Sequence, residues 1–227
     1  MSFMITATGA EYHLCGLAML DPAACEIRIE DIAHHLAQIN RFTGACVRPY
    51  SVAEHSLLVG EIAQRAGASV YVQFAALLHD AHEAFVTNVS SPAKEAVNYL
   101  AGLSGGTRAW AQFEGIHARL VRQHFKLTSV FAGNQHALRM FDLQALATER
   151  RDLTAWREGT HAPWGVLGDG QDLAMRIAPI DWVRLDAPER ERMTWSDWRA
   201  AFADRFDELT FAIELMQGGA VQGANHP

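Results

Sequence analysis

Cysteine is scarce and poorly placed for any structural role. Cys15, Cys25 and Cys46 are an odd number with no C-x-x-C pair, which excludes a disulfide framework and a thiolate zinc site and predicts reduced thiols. Positive charge is short as well: 19 Lys and Arg stand against 26 Asp and Glu, for a net charge of -7. A protein held to a phosphate polymer by its overall field needs clustered Lys and Arg, so polymeric nucleic acid is not the expected partner; a single nucleotide in a locally basic pocket is still compatible. No apolar run approaches the ~20 residues that span a bilayer, and the opening "MSFMITATGAEYHL" has neither a basic stretch nor a long apolar core. The expectation is a soluble cytoplasmic protein with no membrane partner. Internal repeats, low-complexity tracts and linkers are lacking too, as is the H-E-x-x-H of a zinc protease.

What is present can build a core. Of 227 residues, 49% are apolar and 20% charged, a globular balance on a chain within the range of one large domain, residues 1–227. In "MITATGAEYHL", β-branched residues beside a Thr-Gly-Ala turn predict a short N-terminal β-hairpin. Beyond it the apolar period is helical. Ile29, Ile32, Ala33, Leu36 and Ile39 share one face of a first helix that ends near the glycine of "RFTG", and Ser51 caps a second that stops at Gly67. A third runs from about Ser69 to Phe85, and in "SSPAK" Ser91 and Pro92 read as N-cap and first position of a fourth. "AGLSGGT" breaks that helix. A fifth spans Arg108 to about Phe125 and a sixth about Gly133 to Arg157, while "GTHAPWGVLGDGQ" is the longest loop-like segment. The tail from "TWSDW" reads as a packing helix with Trp195, Trp198, Phe202, Phe206 and Leu209 on one side. The fold class is all-α.

Charge interrupts these apolar faces. His55 lies on the buried side of the second helix, one and two turns back from Leu58, Val59, Ile62 and Ala66. On the third, Val72, Ala75 and Ala76 lead into His79 and Glu83, four residues apart on one face, with Asp80 adjoining. On the sixth, the stripe of Leu138, Phe141, Ala145 and Leu146 contains Asp142. Burying such groups without partners is costly. Imidazole nitrogen and carboxylate oxygen are ligands for divalent ions, and a bundle that faces them at one another is one way to build a metal site. Singly, each has a plainer reading: a satisfied core histidine, or an aspartate that caps or pairs with Arg139 or Arg150. His34, His35, His117, His124 and His136 read as surface or capping residues, and His82 as a pocket residue beside His79. "GLSGG" matches G-x-S-x-G but lacks the strand that a nucleophile elbow requires.

Order and wording add to periodicity. "YSVAEHSLLV", "AALLHDAHEAF" and "FDLQALATERRDL" together resemble the H…HD…D signature of the HD-domain metal-dependent phosphohydrolases, most of all bacterial 5'-deoxynucleotidases and phage HD enzymes that hydrolyse dATP. The likeness covers about residues 30–152. It implies an HD-type helical bundle on which the C-terminal helices pack, and in which His55, His79, Asp80 and Asp142 hold a catalytic divalent ion: Zn, Mn, Co, Mg or Fe. It implies further that Arg41 of "INRF" contacts the substrate phosphate with Phe42 against the sugar, that Glu83 assists the attacking water or the leaving group, and that Lys94 of "SSPAK" lines the pocket. Ser91 and the amides of that helix start would take the remaining anionic charge.

One position departs from the pattern. Eight residues after Asp80 the family commonly has a second acid, which supports substrate, water or another metal, and this chain has Asn88, an amide that hydrogen-bonds without charge. The implied function is a metal-dependent phosphohydrolase acting on deoxynucleoside phosphates, of the dNMP 5'-nucleotidase or dNTP hydrolase type, in a homo-oligomer. Asn88 keeps an alternative open, a non-catalytic or weakened HD protein that binds metal and nucleotide as a sensor or scaffold. An acid restored at position 88 separates the two, since a large gain in turnover marks a weakened hydrolase.

Overall fold

The computed structural model describes residues 3–169 and 175–223. Antiparallel strands β1 (Phe3–Ile5) and β2 (Glu11–His13) form the expected hairpin, with Phe3 opposite His13 and Ile5 opposite Glu11. The helices that follow are α1 (Ile29–Gln38), α2 (Val52–Arg65), α3 (Val70–Leu77), α4 (Glu83–Val86), α5 (Ser91–Leu103), α6 (Ala109–His124), α7 (Thr128–Gly133), α8 (Gln135–Leu153), α9 (Pro188–Glu191) and α10 (Trp195–Gly223). The chain is thus mostly α, and among the described residues no helix is long and apolar enough to cross a membrane.

Helix α2 is the hub. The Ser51 side chain accepts from the Glu54 amide at 3.1 Å, the cap its sequence predicts, and Gly67 ends the segment at φ +72°, which glycine adopts without strain. Its buried Val52, Ala53, Leu58, Val59, Ile62 and Ala63 let it pack against α1, α3, α8 and α10 at once. Long α10 covers α1, α2 and α3 with Trp198, Phe202 and Leu209 buried; Trp195 departs from the expected inward stripe and stays 45% exposed. Residues 180–190 are tied down by polar contacts. Buried Arg48 makes two hydrogen bonds to Glu54, at 2.7 and 2.8 Å, and donates to the Leu185 carbonyl, while Arg190 reaches the same Glu54 carboxylate.

Several boundaries differ from the sequence expectation. The first helix ends at Gln38, before "RFTG", because Ile39 turns extended and Asn40 makes a β-bridge to Ser51. The sixth expected helix is α8, which starts at Gln135 and stops at Leu153, four residues before Arg157; α7 precedes it, in a stretch where no helix was expected. Ser91 is the first residue of α5, with Ser90 at the cap position. The long loop carries a short 3-10 turn at Gly165–Leu167, and its last two residues, Gly170 and Gln171, lie outside the described residues.

The largest difference is in "AALLHDAHEAF". The third helix does not run to Phe85. It ends at Leu77, and the chain makes tight turns, Ala81 amide to Leu78 carbonyl and Glu83 amide to Asp80 carbonyl, before α4 begins. In a continuous helix adjacent side chains diverge by about 100°. The break lets His79 and Asp80 aim at one point.

Candidate metal centre

Three elements converge on that point: α2 brings His55, the turn after α3 brings His79 and Asp80, and α8 brings Asp142. His55 Nε2 lies 3.2 Å from His79 Nε2, 3.5 Å from Asp80 Oδ2 and 3.4 Å from Asp142 Oδ1. His79 Nε2 is 3.2 Å from Asp80 Oδ2 and 3.9 Å from Asp142 Oδ1. All four predicted ligands therefore meet, and His55, His79 and Asp80 offer atoms within 4.8 Å of one another, close enough to hold one ion.

The other ring nitrogens fix the tautomers. His55 Nδ1 faces Glu149 Oε1 at 2.5 Å and His79 Nδ1 faces the Ala76 carbonyl at 2.8 Å. Both partners are acceptors, so both Nδ1 atoms carry the proton, and in neutral rings both Nε2 atoms present lone pairs to each other and to two carboxylates. Only a cation or added protons can sit among four acceptors. The residues fit a divalent metal, and a carboxylate behind His55 is the outer partner that orients a metal-binding imidazole.

Electrostatics agree. Burial works against charging His55, as does Arg41, but Glu149, Asp142 and Asp80 outweigh both and hold its pKa well above the usual value. His79 is raised likewise, burial opposing and Asp80 prevailing. Burial would push Asp80 up, yet His79 and His55 hold it well below the carboxylate range; Asp142 is lowered by the same two imidazoles. Glu149 is fully buried and lowered against burial by Arg41 and His55; it also accepts from Tyr50 Oη at 3.0 Å.

A second group adjoins the first. His82, Glu83 and Glu114 also offer ligand atoms within 4.8 Å of one another, but a cation is already there: Lys94 Nζ donates to Glu114 Oε1 at 2.5 Å and lies 3.8 Å from Glu83 Oε1. Glu83 is pushed up to about 7, by burial first and then by the charge of Asp80. Asn88 Nδ2 donates to Glu83 Oε2 at 2.8 Å. The residue before it, Thr87, has φ 67° and ψ 160°, a conformation that non-glycine residues rarely adopt and that is commonest at functional sites.

His79, Asp80 and Asp142 line a cavity of about 640 Å³, together with His82, Lys94 and Glu114. That is within the range of small-molecule sites. The remaining expected residues are distributed unevenly. Arg41 is largely buried on another flank of the cluster, its Nη2 3.2 Å from Glu149 Oε2 and its Nη1 3.6 Å from Asp80 Oδ2, with Phe42 beneath the guanidinium. Ser91 is exposed, and its side chain caps nothing. His117 is fully buried beside the Tyr12 hydroxyl at 2.9 Å, not at the surface as expected.

No family model matches the chain. It is 46% identical over 178 residues to an uncharacterized protein of Rhodobacter capsulatus, covering 74% of this chain and 85% of the relative. It is 32% identical over 153 residues to the uncharacterized protein YfdR of Escherichia coli, covering 67% and 73%. The chain belongs to their family. Membership in the YfdR family brings no activity with it.

Glu149 and Glu114 are the site residues that sequence reading missed. Glu149 sits seven residues after Asp142, two helical turns along the same face of α8. That spacing was the available signal, obscured by the charged run "TERRD". Glu114 lies on α6, which no motif touches.

Proposed function

We propose that this protein is a metal-dependent phosphohydrolase of the HD type that acts on deoxynucleoside phosphates. The observation that carries the reading is the pair of opposed imidazole lone pairs, 3.2 Å apart, between two carboxylates at the wall of a cavity of about 640 Å³. His55, His79, Asp80 and Asp142 would hold the ion, with Glu149 fixing the His55 ring. A divalent ion there supplies a Lewis acid for the phosphoryl group and makes water acidic enough to react near neutral pH.

The chain's own residues do the rest. Glu83, poised near neutrality by burial and Asp80, takes a proton from water and returns it to the leaving oxygen. Asn88 fixes the orientation of that carboxylate, and Lys94 stands by its other oxygen. Arg41 offsets the acids of the cluster. Its Nη1 meets Asp80 at an ion-pair distance too long for a hydrogen bond, which leaves that end for the substrate phosphate. Phe42, beside it, is the surface for the sugar. Ser91, exposed outside the cavity wall, receives no role here.

Purified protein supplied with Mn, Co, Mg or Zn should release phosphate or a phosphate chain from a panel of dNMPs and dNTPs. Asp80→Asn should cut both metal affinity and turnover, by at least about 100-fold in turnover. Silence across the panel with metal bound would sink the hydrolytic reading and leave the sensor or scaffold alternative.

A further inference from the structure

The cavity that His79, Asp80 and Asp142 line also has a cationic lining: α6 contributes Arg119 and Arg122, and α8 contributes Arg139. Elsewhere arginines near the centre are neutralised, Arg41 by Glu149 and Asp80, Arg48 by Glu54, Arg150 by Asp169. Among the described residues these three meet no carboxylate at ion-pair distance. The acids of the same cavity are already engaged, Asp80 and Asp142 by the histidines and Glu114 by Lys94.

Arg122 shows the point best. Its guanidinium stacks 4.2 Å over the Phe131 ring, and its Nε is buried with no hydrogen-bond partner. A guanidinium is always charged and its donors form a rigid fork matched to phosphate oxygens, so a half-buried one without a partner is incomplete until an anion arrives.

We infer that Arg119, Arg122 and Arg139 form an anion subsite for a phosphate other than the one at the metal centre, so that the favoured substrate carries a chain of at least two phosphates. The placement of the reacting phosphate rests on the phosphohydrolase reading above. The subsite itself rests on the three unpaired arginines. A nucleoside di- or triphosphate fits this cavity better than a monophosphate, because its additional charges meet cations that, among the described residues, no carboxylate pairs.

Calorimetric titration of the Mn-supplied protein with inorganic tripolyphosphate and with orthophosphate, Mg in excess over either, reads the subsite directly. Tripolyphosphate should bind at least about tenfold more tightly, as expected for one or more added charge-assisted contacts. The double variant R119Q/R139Q, altered at exposed positions that leave the fold intact, should lose most of that preference while orthophosphate affinity stays within about twofold. Equal affinity for the two anions, or a preference unchanged in the variant, overturns the subsite. A parallel comparison of dAMP with dATP separates the two readings. Hydrolysis of both with the same KM in wild type and variant retains the hydrolase and rejects the subsite; arginine-dependent tripolyphosphate binding without any hydrolysis does the reverse. Tighter binding of dATP than of tripolyphosphate identifies a nucleotide-borne chain as the ligand.

Discussion

Asn88 supplies what a carboxylate in its place cannot. Its amide donates to Glu83, whose carboxyl is already lifted to about 7 by burial and by Asp80, with Arg41, His82 and this hydrogen bond pulling the other way. A base works in its ionised form, so activity that depends on Glu83 is present above its pKa and lost as pH falls through about 7. Asn88→Asp would replace the donor with a second carboxylate and raise Glu83 further. The expected outcome is an acid limb of the pH–rate profile displaced upward by roughly one unit and turnover at neutral pH reduced several-fold. This geometry reverses the simplest expectation from the missing acid, in which restoring it improves the enzyme. A clear gain in turnover for N88D would show instead that the natural residue weakens hydrolysis.

Among the elements, Glu54 and His55 are consecutive on α2, yet they serve different ends. Arg48 and Arg190 both donate to Glu54 Oε1, and Arg48 also holds the Leu185 carbonyl, so the segment that leads to α9 is latched to the hub. Breaking a buried ion pair costs roughly 3–5 kcal/mol, and because Arg190 still reaches Glu54 the loss on Arg48→Met should lie at the lower end, about 3 kcal/mol. Chemical denaturation of the metal-free protein should show that loss, and metal stoichiometry at saturation should be retained; unchanged stability would mean the latch is idle. The helices themselves were legible in the sequence because their apolar periods and caps are local, as with Ser51 on α2. Of the ligands, His55, His79 and Asp142 stood out as polar residues on apolar stripes, with Asp80 adjoining, but their reading as one set came from the likeness of the three segments to the H…HD…D signature. The break after Leu77 was not, since "AALLHDAHEAF" keeps a helical apolar pattern straight through it and only tertiary packing ends the helix. Glu149 and the arginines of α6 were hidden because a charged residue on a mixed face looks the same whether it meets solvent or a site.

For the whole molecule, the centre staples α2, the turn after α3, and α8, and so a bound ion should report on global stability. Any ligand that binds only the folded state at about 100 times its Kd adds ~2.7 kcal/mol, which for a chain of this size is a rise in Tm of roughly 5–10 °C. Chelation should remove it. The size of the effect must depend on pH, because protons and metal compete for the same Nε2 atoms. His55 and His79 have raised pKa values in the metal-free fold, so their protonation stabilises that fold fully below the unfolded value of 6.5, and the contribution is lost as pH rises through the raised values. Asp80, Asp142 and Glu149 are lowered, so their contribution is present above the ordinary carboxylate range and is lost only as pH falls through the lowered values. Near neutrality those three carboxylates are therefore constant; Glu83, raised to about 7, loses its own contribution there with or without metal, so the difference that metal makes is set by the imidazoles. Metal-free protein should lose stability as pH rises above the ordinary imidazole value and through the raised values, as the four acceptors are left without protons between them, while Mn-supplied protein should lose less. Differential scanning calorimetry across that range should show the two Tm values close together at the acid end and diverging as pH rises. Parallel curves would mean that no cation takes the place of those protons, and the metal centre would fall with them.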